Sequence, residues 1–583
     1  MSEKTKAKDF FEKVESDVTN LRWDRERAKF FAEAIKSYEE EGNTTKATEM
    51  RWEYLLFNLR YLHNLDERKK SKTRLAPMVV YTNGSVFPDI RNFTNEQIEY
   101  YEARANETSN PIHKARYNEI VWETRKDHTF ARNAIIAYLN CVPIFYRNNW
   151  EIEMTDSLLR ATELALTLND QNAIESVRQA LVEWLEKLSK AKTFRWCLEL
   201  IAGVLEMKRY LKDDELEICV DIAKSAASFY ETVKDGYHLQ QSFLEKIVIL
   251  MNALKRPDEA LKYLEAIAES YVNEGTWKLE HYPSGDAVAA FFYEKAARLY
   301  RDLGLKEKSD ELIKKVKEHT VKSEKDMKII KTEFTIPNEA IRKYIQTFSS
   351  LSLTEALKKI SMDNSFVPNV QRIKSDLEKQ KGKSLGLVLP IVSIRNGNPS
   401  LHSQTEDEIF EDNVVLNFTM GYKQRISLLG IIFDELVKTK NLNHETLLSY
   451  LLASKVYESN SDRILKVGFE RYFSRDYISS LHILTPQLER AFRHLLNKLG
   501  VATTLISGDS IEEKTLGSVL REKKLQDLLG DDISFCASTL LVDKRGDNLR
   551  NDISHGLITE NSCDRNAANS LLHIFLVLTR FEI

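Results

Sequence analysis

Three residues near the end of this 583-residue chain, Arg550, Asn551 and His555, combine side chains that move protons and hold anions. A histidine accepts or donates a proton near neutral pH. A guanidinium answers developing negative charge with a fixed, planar fork of donors. They stand in the stretch GDNLRNDISHGL, which begins at Gly546. On a helix, Asn551 and His555 are four apart and share a face. Arg550 and His555 are five apart, roughly 140° around the axis. One copy therefore does not make a tight Arg-His pair, whereas two copies across a symmetric interface could line one shared cleft. The same residues also read as a well-capped helix. Gly546 would end one helix, Asp547 or Asn548 would cap the next, and Gly556 would end it. In that reading Arg550 sits in an ion pair and His555 is a satisfied core histidine.

A second polar cluster lies upstream, in GFERYFSRDYISSLHILTPQLERAFRHLLNKLG, with His482, Pro486, Glu489, Arg490 and Arg493. Thr485 before Pro486 predicts a helix start or a kink there. Glu489 and Arg493, four apart, either pair along the helix or leave Glu489 to hold Arg550 in place. Lys544 and Arg545 flank the Arg550 stretch, and Arg521, Lys523 and Lys524 lie between the two clusters. These cations form either a phosphate-attracting rim or ordinary solvated faces.

The two pieces together resemble a known family. Arg-x4-His with a polar residue after the arginine, near the end of an all-α domain, is similar to the signature of the HEPN superfamily. The stretch NLRNDISHGL, preceded by the turn residues Asp543, Arg545 and Gly546, resembles a bacterial family defined by an RNxxxHG motif. The His482, Pro486, Glu489 and Arg493 spacing resembles that family's upstream helix. The resemblance covers residues 460–583 and, more loosely, 336–460. It implies a metal-independent endoribonuclease that needs no cofactor. The 2′-hydroxyl of RNA would attack the phosphorus, giving a 2′,3′-cyclic phosphate and a 5′-hydroxyl. His555 would be general base or acid and Arg550 the phosphate clamp. Asn551 would orient His555 or the phosphate, Glu489, Arg493 and His482 would support them, and Arg490, Lys544 and Arg545 would face RNA. It further implies a homodimer through the C-terminal domain, an RNA substrate such as tRNA, and a regulated role in bacterial anti-phage defence or a toxin-like system. A protein or phage-derived trigger would act on the N-terminal part. Two rivals stay open: a non-catalytic HEPN-like dimerisation or nucleotide-binding module, and a repeat-based protein-interaction adaptor.

Long helices must position these groups. Glycine (19) and proline (11) are scarce, which favours helices over a strand-rich fold. The net charge of −4 excludes a strongly basic nucleic-acid coat but not a local patch. The five cysteines form no CxxC pair, which argues against a disulfide framework or cysteine zinc site. No HExxH, Walker A or GxGxxG stretch follows a strand pattern. There is no apolar leader or 18-residue apolar run, so the expected location is the cytoplasm, away from membranes.

To about residue 335, helical hairpins predominate and resemble degenerate tetratricopeptide repeats. Turns are expected at Gly42, Pro257 and Gly304, and all seven tryptophans are read mainly as packing residues. MVVYTNGSVFPDI, from Met78, predicts short strands or an extended loop turned at Asn83-Gly84. Residues 336–410 read as a connecting segment, with an extended element around Pro390, Gly397 and Pro399 and then the polar linker HSQTEDEIFEDN. Residues 411–583 read as a helical effector domain. Its last helix, LLHIFLVLTRF, is apolar enough that part of its surface is expected at a dimer interface. Cys563 is expected to pack rather than react. The expected fold class is all-α: a repeat array, a small extended element and a HEPN-like bundle.

Overall fold

The computed structural model describes residues 22, 24–61, 74–81, 84–327, 336–381, 383–384, 387, 392–395, 398–403, 405–457, 462–508 and 510–581. The expectations at Trp23, Asn83, Pro390 and Gly397 lie outside the described residues. The protein is an all-α helical-repeat fold with only two-stranded antiparallel ribbons beside the helices. It divides into two compact units, residues 1–315 and 316–583.

The first unit begins with α1 (Asp24–Glu40) and α2 (Thr44–Phe57). Gly42 turns the chain between them in the left-handed region, at φ +73. Two ribbons follow, β1 (Leu59–Tyr61) with β2 (Leu75–Pro77), and β3 (Val79–Val80) with β4 (Val86–Phe87). The second is the short hairpin anticipated in the MVVYTNGSVFPDI stretch. Helices then succeed one another: α3 (Asn95–Glu107), α4 (Pro111–Arg125), α5 (His128–Arg147), α6 (Glu151–Leu168), α7 (Gln171–Lys190) and α8 (Phe194–Glu206). They continue as α9 (Asp213–Glu231), α10 (Tyr237–Ala253), α11 (Pro257–His281), α12 (Gly285–Asp302) and α13 (Lys306–Ser323), within which the division between units falls. Sequence neighbours pack as antiparallel hairpins. The α11–α12 pair shows why small residues recur. A Cβ on Gly275 would stand 2.9 Å from the Tyr293 ring, and Ala289 and Ala296 are fully buried. Trp122, Trp150 and Trp184 are buried at 7–8% exposure, as packing residues should be.

The second unit opens with α14 (Asn338–Ser349), α15 (Leu353–Met362) and α16 (Val370–Gln380). The ribbon of β5 (Val392–Arg395) and β6 (Asn398–His402) comes next. Then follow α17 (Glu406–Lys440), α18 (His444–Leu452), α19 (Asp462–Phe473) and α20 (Tyr477–Lys498). The ribbon of β7 (Thr504–Ser507) and β8 (Ser510–Glu513) leads into α21 (Leu516–Leu520), α22 (Lys523–Leu529) and α23 (Asp531–Leu541). The chain closes with α24 (Leu549–Ser554) and α25 (Arg565–Leu578).

Three expectations are corrected here. Residues 336–410 are not a connector: Phe348, Leu357, Ile360, Phe366 and Leu377 join one core with α17–α25. The unit accordingly begins near residue 316 rather than 336 or 411. The polar linker HSQTEDEIFEDN is instead the start of the longest helix. Thr405 Oγ1 accepts from the Glu408 N–H at 3.3 Å, and Glu408 Oε2 accepts from the Thr405 N–H at 3.1 Å. That reciprocal capping box starts a helix despite the polar composition. Finally, α25 offers no face to a second copy. Every residue from Ala568 to Leu578 is buried, because α15 covers one side while α17 and α20 cover others. The apolar surface that looked excessive for a 170-residue domain is matched by the helices of the misread connector.

Candidate active site

The Arg550 stretch is a tight turn leading into the six-residue helix α24, anchored on three longer helices. Its first constraint is Gly546. A Cβ there would lie 2.2 Å from the Thr539 carbonyl oxygen and 2.9 Å from its carbon, so only glycine fits against the backbone of α23. The approach lets Thr539 O accept the Asp547 N–H at 2.8 Å and the Asn548 N–H at 3.4 Å. Lys423 on α17 pairs with Asp547 at 2.6 Å. Arg545 grips Asp543 through Nε at 3.0 Å and Nη2 at 2.8 Å, and reaches Asp412 on α17 at 3.5 Å. Burial pushes the Asp543 carboxyl up, but the Arg545 bonds outweigh it and hold the group below the usual carboxylate range.

Asn548 then takes a left-handed conformation, at φ +53, as the N-cap of α24. Asparagine tolerates it better than most residues. Its side chain does not cap the backbone. It donates to Asp552 Oδ1 at 2.9 Å and accepts from Asn551 Nδ2 at 2.7 Å. Asn551 therefore turns toward the inside of the turn, donating also to Val542 O at 3.3 Å. His555 is the C-cap, and Gly556 follows at φ +64, as the capped-helix reading anticipated. Gly546, by contrast, ends no helix: α23 stops at Leu541.

Glu489 on α20 does both things the sequence offered. Its Oε1 accepts from Arg493 Nη2 at 2.7 Å and its Oε2 accepts from Arg550 Nε at 2.9 Å. Arg493 in turn holds Glu513 at 2.8 Å and the Lys514 carbonyl, tying the β7–β8 ribbon to the cluster. Arg550 Nη1 lies 3.4 Å from Asn551 Oδ1, while Nη2 has no acceptor among the described residues. The guanidinium is fixed on one edge and open on another.

His555 is exposed, and its ring makes no hydrogen bond or ion pair among the described residues. It is not a core histidine, and within one chain Arg550 and His555 share no bond. His482 is exposed on α20, with Nδ1 2.8 Å from Ile478 O. It stands two turns before Glu489, roughly 10 Å along the axis, and does not join the cluster. Arg490 is half-buried, Lys544 is exposed, and each has an interaction of its own.

Pro486 neither starts nor ends a helix. α20 begins at the Asp476 cap and runs through the proline. Burial of Leu481, Leu484, Leu488, Phe492 and Leu495 on one stripe outweighs the lost N–H. Much of the cation rim is paired: Lys523 with Asp527, Arg493 with two glutamates and Arg545 with two aspartates. Cys563 is buried, which together with the nearby Asp564 and Glu560 carboxylates raises its thiol. Sequence reasoning missed Lys423, Asp412 and Thr539, whose roles leave no local pattern. The four-residue spacing of Asn548 and Asp552 was a readable signal.

Among the described residues no helix is long and apolar enough to cross a membrane, and no group of His, Cys, Asp or Glu is arranged to hold a metal ion. No curated protein matches the chain. Residues 28–177, in the first unit, match the family model described as a domain of unknown function (DUF7380).

Proposed function

We propose that the Arg550 turn is half of an RNA-cleaving site completed by a second copy of the chain, in a protein of the cytoplasm. The observation that carries the reading is the pairing of an anchored cation with a free histidine. Glu489 fixes Arg550 with Nη2 open, and the exposed, unpartnered His555 sits at the end of the same short helix. A guanidinium so held is pre-organised to receive a phosphoryl oxygen in the transition state. His555 of one copy takes the 2′-hydroxyl proton. The 2′-oxygen bonds to phosphorus and the P–O5′ bond breaks. His555 of the other copy gives its proton to the leaving 5′-oxygen. The products are a 2′,3′-cyclic phosphate and a 5′-hydroxyl. In this reading the first unit regulates the second, as in a defence or toxin-like effector.

A second reading has its own observation. Asn551 and Asn548 bond within the turn, as they would if its task were structural. The test is cleavage of tRNA and a structured RNA panel in EDTA, by the full chain and by a fragment from residue 316, each as wild type and His555→Ala. Cleavage lost in the variant, with cyclic-phosphate ends, supports the nuclease. Equal behaviour of wild type and variant supports the structural turn.

A further inference from the structure

The first unit contains a cavity of about 1210 Å³ between α1, α4, α5 and α6, closed on one side by β1 and β3. It is a little above the usual 300–1,000 Å³ of small-molecule sites and lies far along the chain from the Arg550 turn. One wall is apolar and aromatic, with Tyr54, Tyr138, Phe145, Ile112 and Met78. Two buried cations share that lining, with Arg116 on the same face of α4 as Ile112. Arg27 is 2% and Arg116 3% exposed, and the two guanidinium groups share one carboxylate. Asp24 Oδ1 lies 3.2 Å from Arg27 and Oδ2 2.9 Å from Arg116.

Arg116 is under-satisfied. Its Nη2 serves both Asp24 and the Leu59 carbonyl, while Nε and Nη1 have no acceptor. The Tyr61 ring lies over the guanidinium at 4.5 Å. A buried, unpaired donor costs about 1–3 kcal/mol, and more on a charged group. Burial, reinforced by the Arg116 charge, pushes Arg27 below its ordinary value, and the Asp24 carboxylate opposes that shift.

Further carboxylates gather on Arg160, and one of them, Glu119, also supports the Arg116 charge. Arg160 holds Glu119, Glu123 and Glu163, with Arg74 also on Glu163 and Lys126 on Glu123. At the mouth, Arg25 and Lys29 stand exposed on α1, neither making an ion pair or side-chain hydrogen bond among the described residues. Cations at the rim and a lining that mixes buried donors with aromatic rings define one ligand class.

We propose that this cavity binds an organic phosphate of mononucleotide size, its phosphate facing Arg116 and Arg27 and its apolar or aromatic body lying against Tyr54, Tyr138 and Phe145. Tyr61 shifts from the Arg116 face as the phosphate enters. Most of the lining falls within residues 28–177, which the family model matches, but Asp24, Arg25 and Arg27 precede that stretch.

The test is isothermal titration calorimetry of the full chain with AMP, UMP, adenosine and inorganic phosphate. A nucleotide should bind, with adenosine and inorganic phosphate each weaker by about tenfold or more. The double variant Arg25→Glu/Lys29→Glu, on the exposed rim, should weaken nucleotide binding by about tenfold without moving the unfolding midpoint. Arg116→Met should abolish it; if that variant does not fold, the rim variant decides. Three results would each overturn the proposal: no nucleotide binding at millimolar concentration, equal binding of AMP and adenosine, or nucleotide binding unchanged in the rim variant.

Discussion

Gly546→Ala isolates the constraint that shapes the Arg550 turn. The added Cβ would meet backbone, not a side chain that can rotate away: Thr539 O at 2.2 Å, its carbon at 2.9 Å and its Cα at 3.0 Å. Either the last turn of α23 moves or the loop lifts. Lifting strains the 2.8 Å bond from Asp547 N–H to Thr539 O, about 1 kcal/mol. Moving a packed helix end adds about 1–3 kcal/mol of overpacking cost. The unfolded chain loses freedom when alanine replaces glycine, which offsets about 0.4–1 kcal/mol. The expected net is a loss of about 1–3 kcal/mol, or roughly 2–12 °C in the unfolding midpoint of a unit this size. The sequence supplies a way to localise the effect, since all seven tryptophans precede residue 278 and so lie in the first unit. Far-UV circular dichroism sees both units; tryptophan fluorescence sees the first. Gly546→Ala should lower part of the dichroism transition and leave the fluorescence transition in place. A dichroism shift under about 1 °C would refute the steric argument, because about 1 kcal/mol already moves such a unit by 2–4 °C.

Acid should destabilise the second unit through His573, which is fully buried, with Nδ1 3.0 Å from the Tyr422 hydroxyl and Nε2 unpartnered. Burial, helped by the Arg580 charge, pushes it down to about 3. The unfolded chain therefore binds a proton that the folded chain refuses between pH 6.5 and about 3. Stability falls with acid across that window by up to about 1.4 kcal/mol per unit. His573→Leu should flatten the slope in urea melts at pH 7, 6 and 5, and an unchanged slope would reject the assignment. A fragment beginning at residue 405 should aggregate or bind a hydrophobic dye, whereas one beginning at 316 should melt cooperatively, because α14–α16 cover α17 and α25. Cooperative melting of the shorter fragment would contradict that packing. Pro486→Ala should stabilise α20 by about 1–3 kcal/mol, since the proline is exposed and alanine restores the missing N–H. A loss of stability there would mean that the proline ring packs where α20 needs it.

The helices and their turns were legible because their signals are local. Gly42 and Gly304 adopt the left-handed region, and Pro257 opens α11. The capping box at Thr405 and Glu408 was equally local but was passed over because the segment's polarity was read as a linker. Pro486 misled in the other direction. A proline's effect is local, but the stripe of leucines on either side of it decides whether the helix continues. In the Arg550 turn, the spacing of Arg550, Asn551 and His555 was readable, and the Glu489 contact was one of two options left open.

By itself, the sequence determined the all-α class and the hairpin array, and it singled out side chains whose types could do acid–base and anion-binding chemistry. Those follow from backbone preference, apolar period and side-chain type, each set within a few residues. Only the tertiary structure decided that residues 336–380 complete the core around α25 and that Glu489 bridges Arg493 and Arg550. It alone set Gly546 against Thr539 and left two Arg116 donors buried and unanswered beside a cavity. These depend on groups tens or hundreds of residues apart, and satisfaction of a buried donor is a property of everything packed around it.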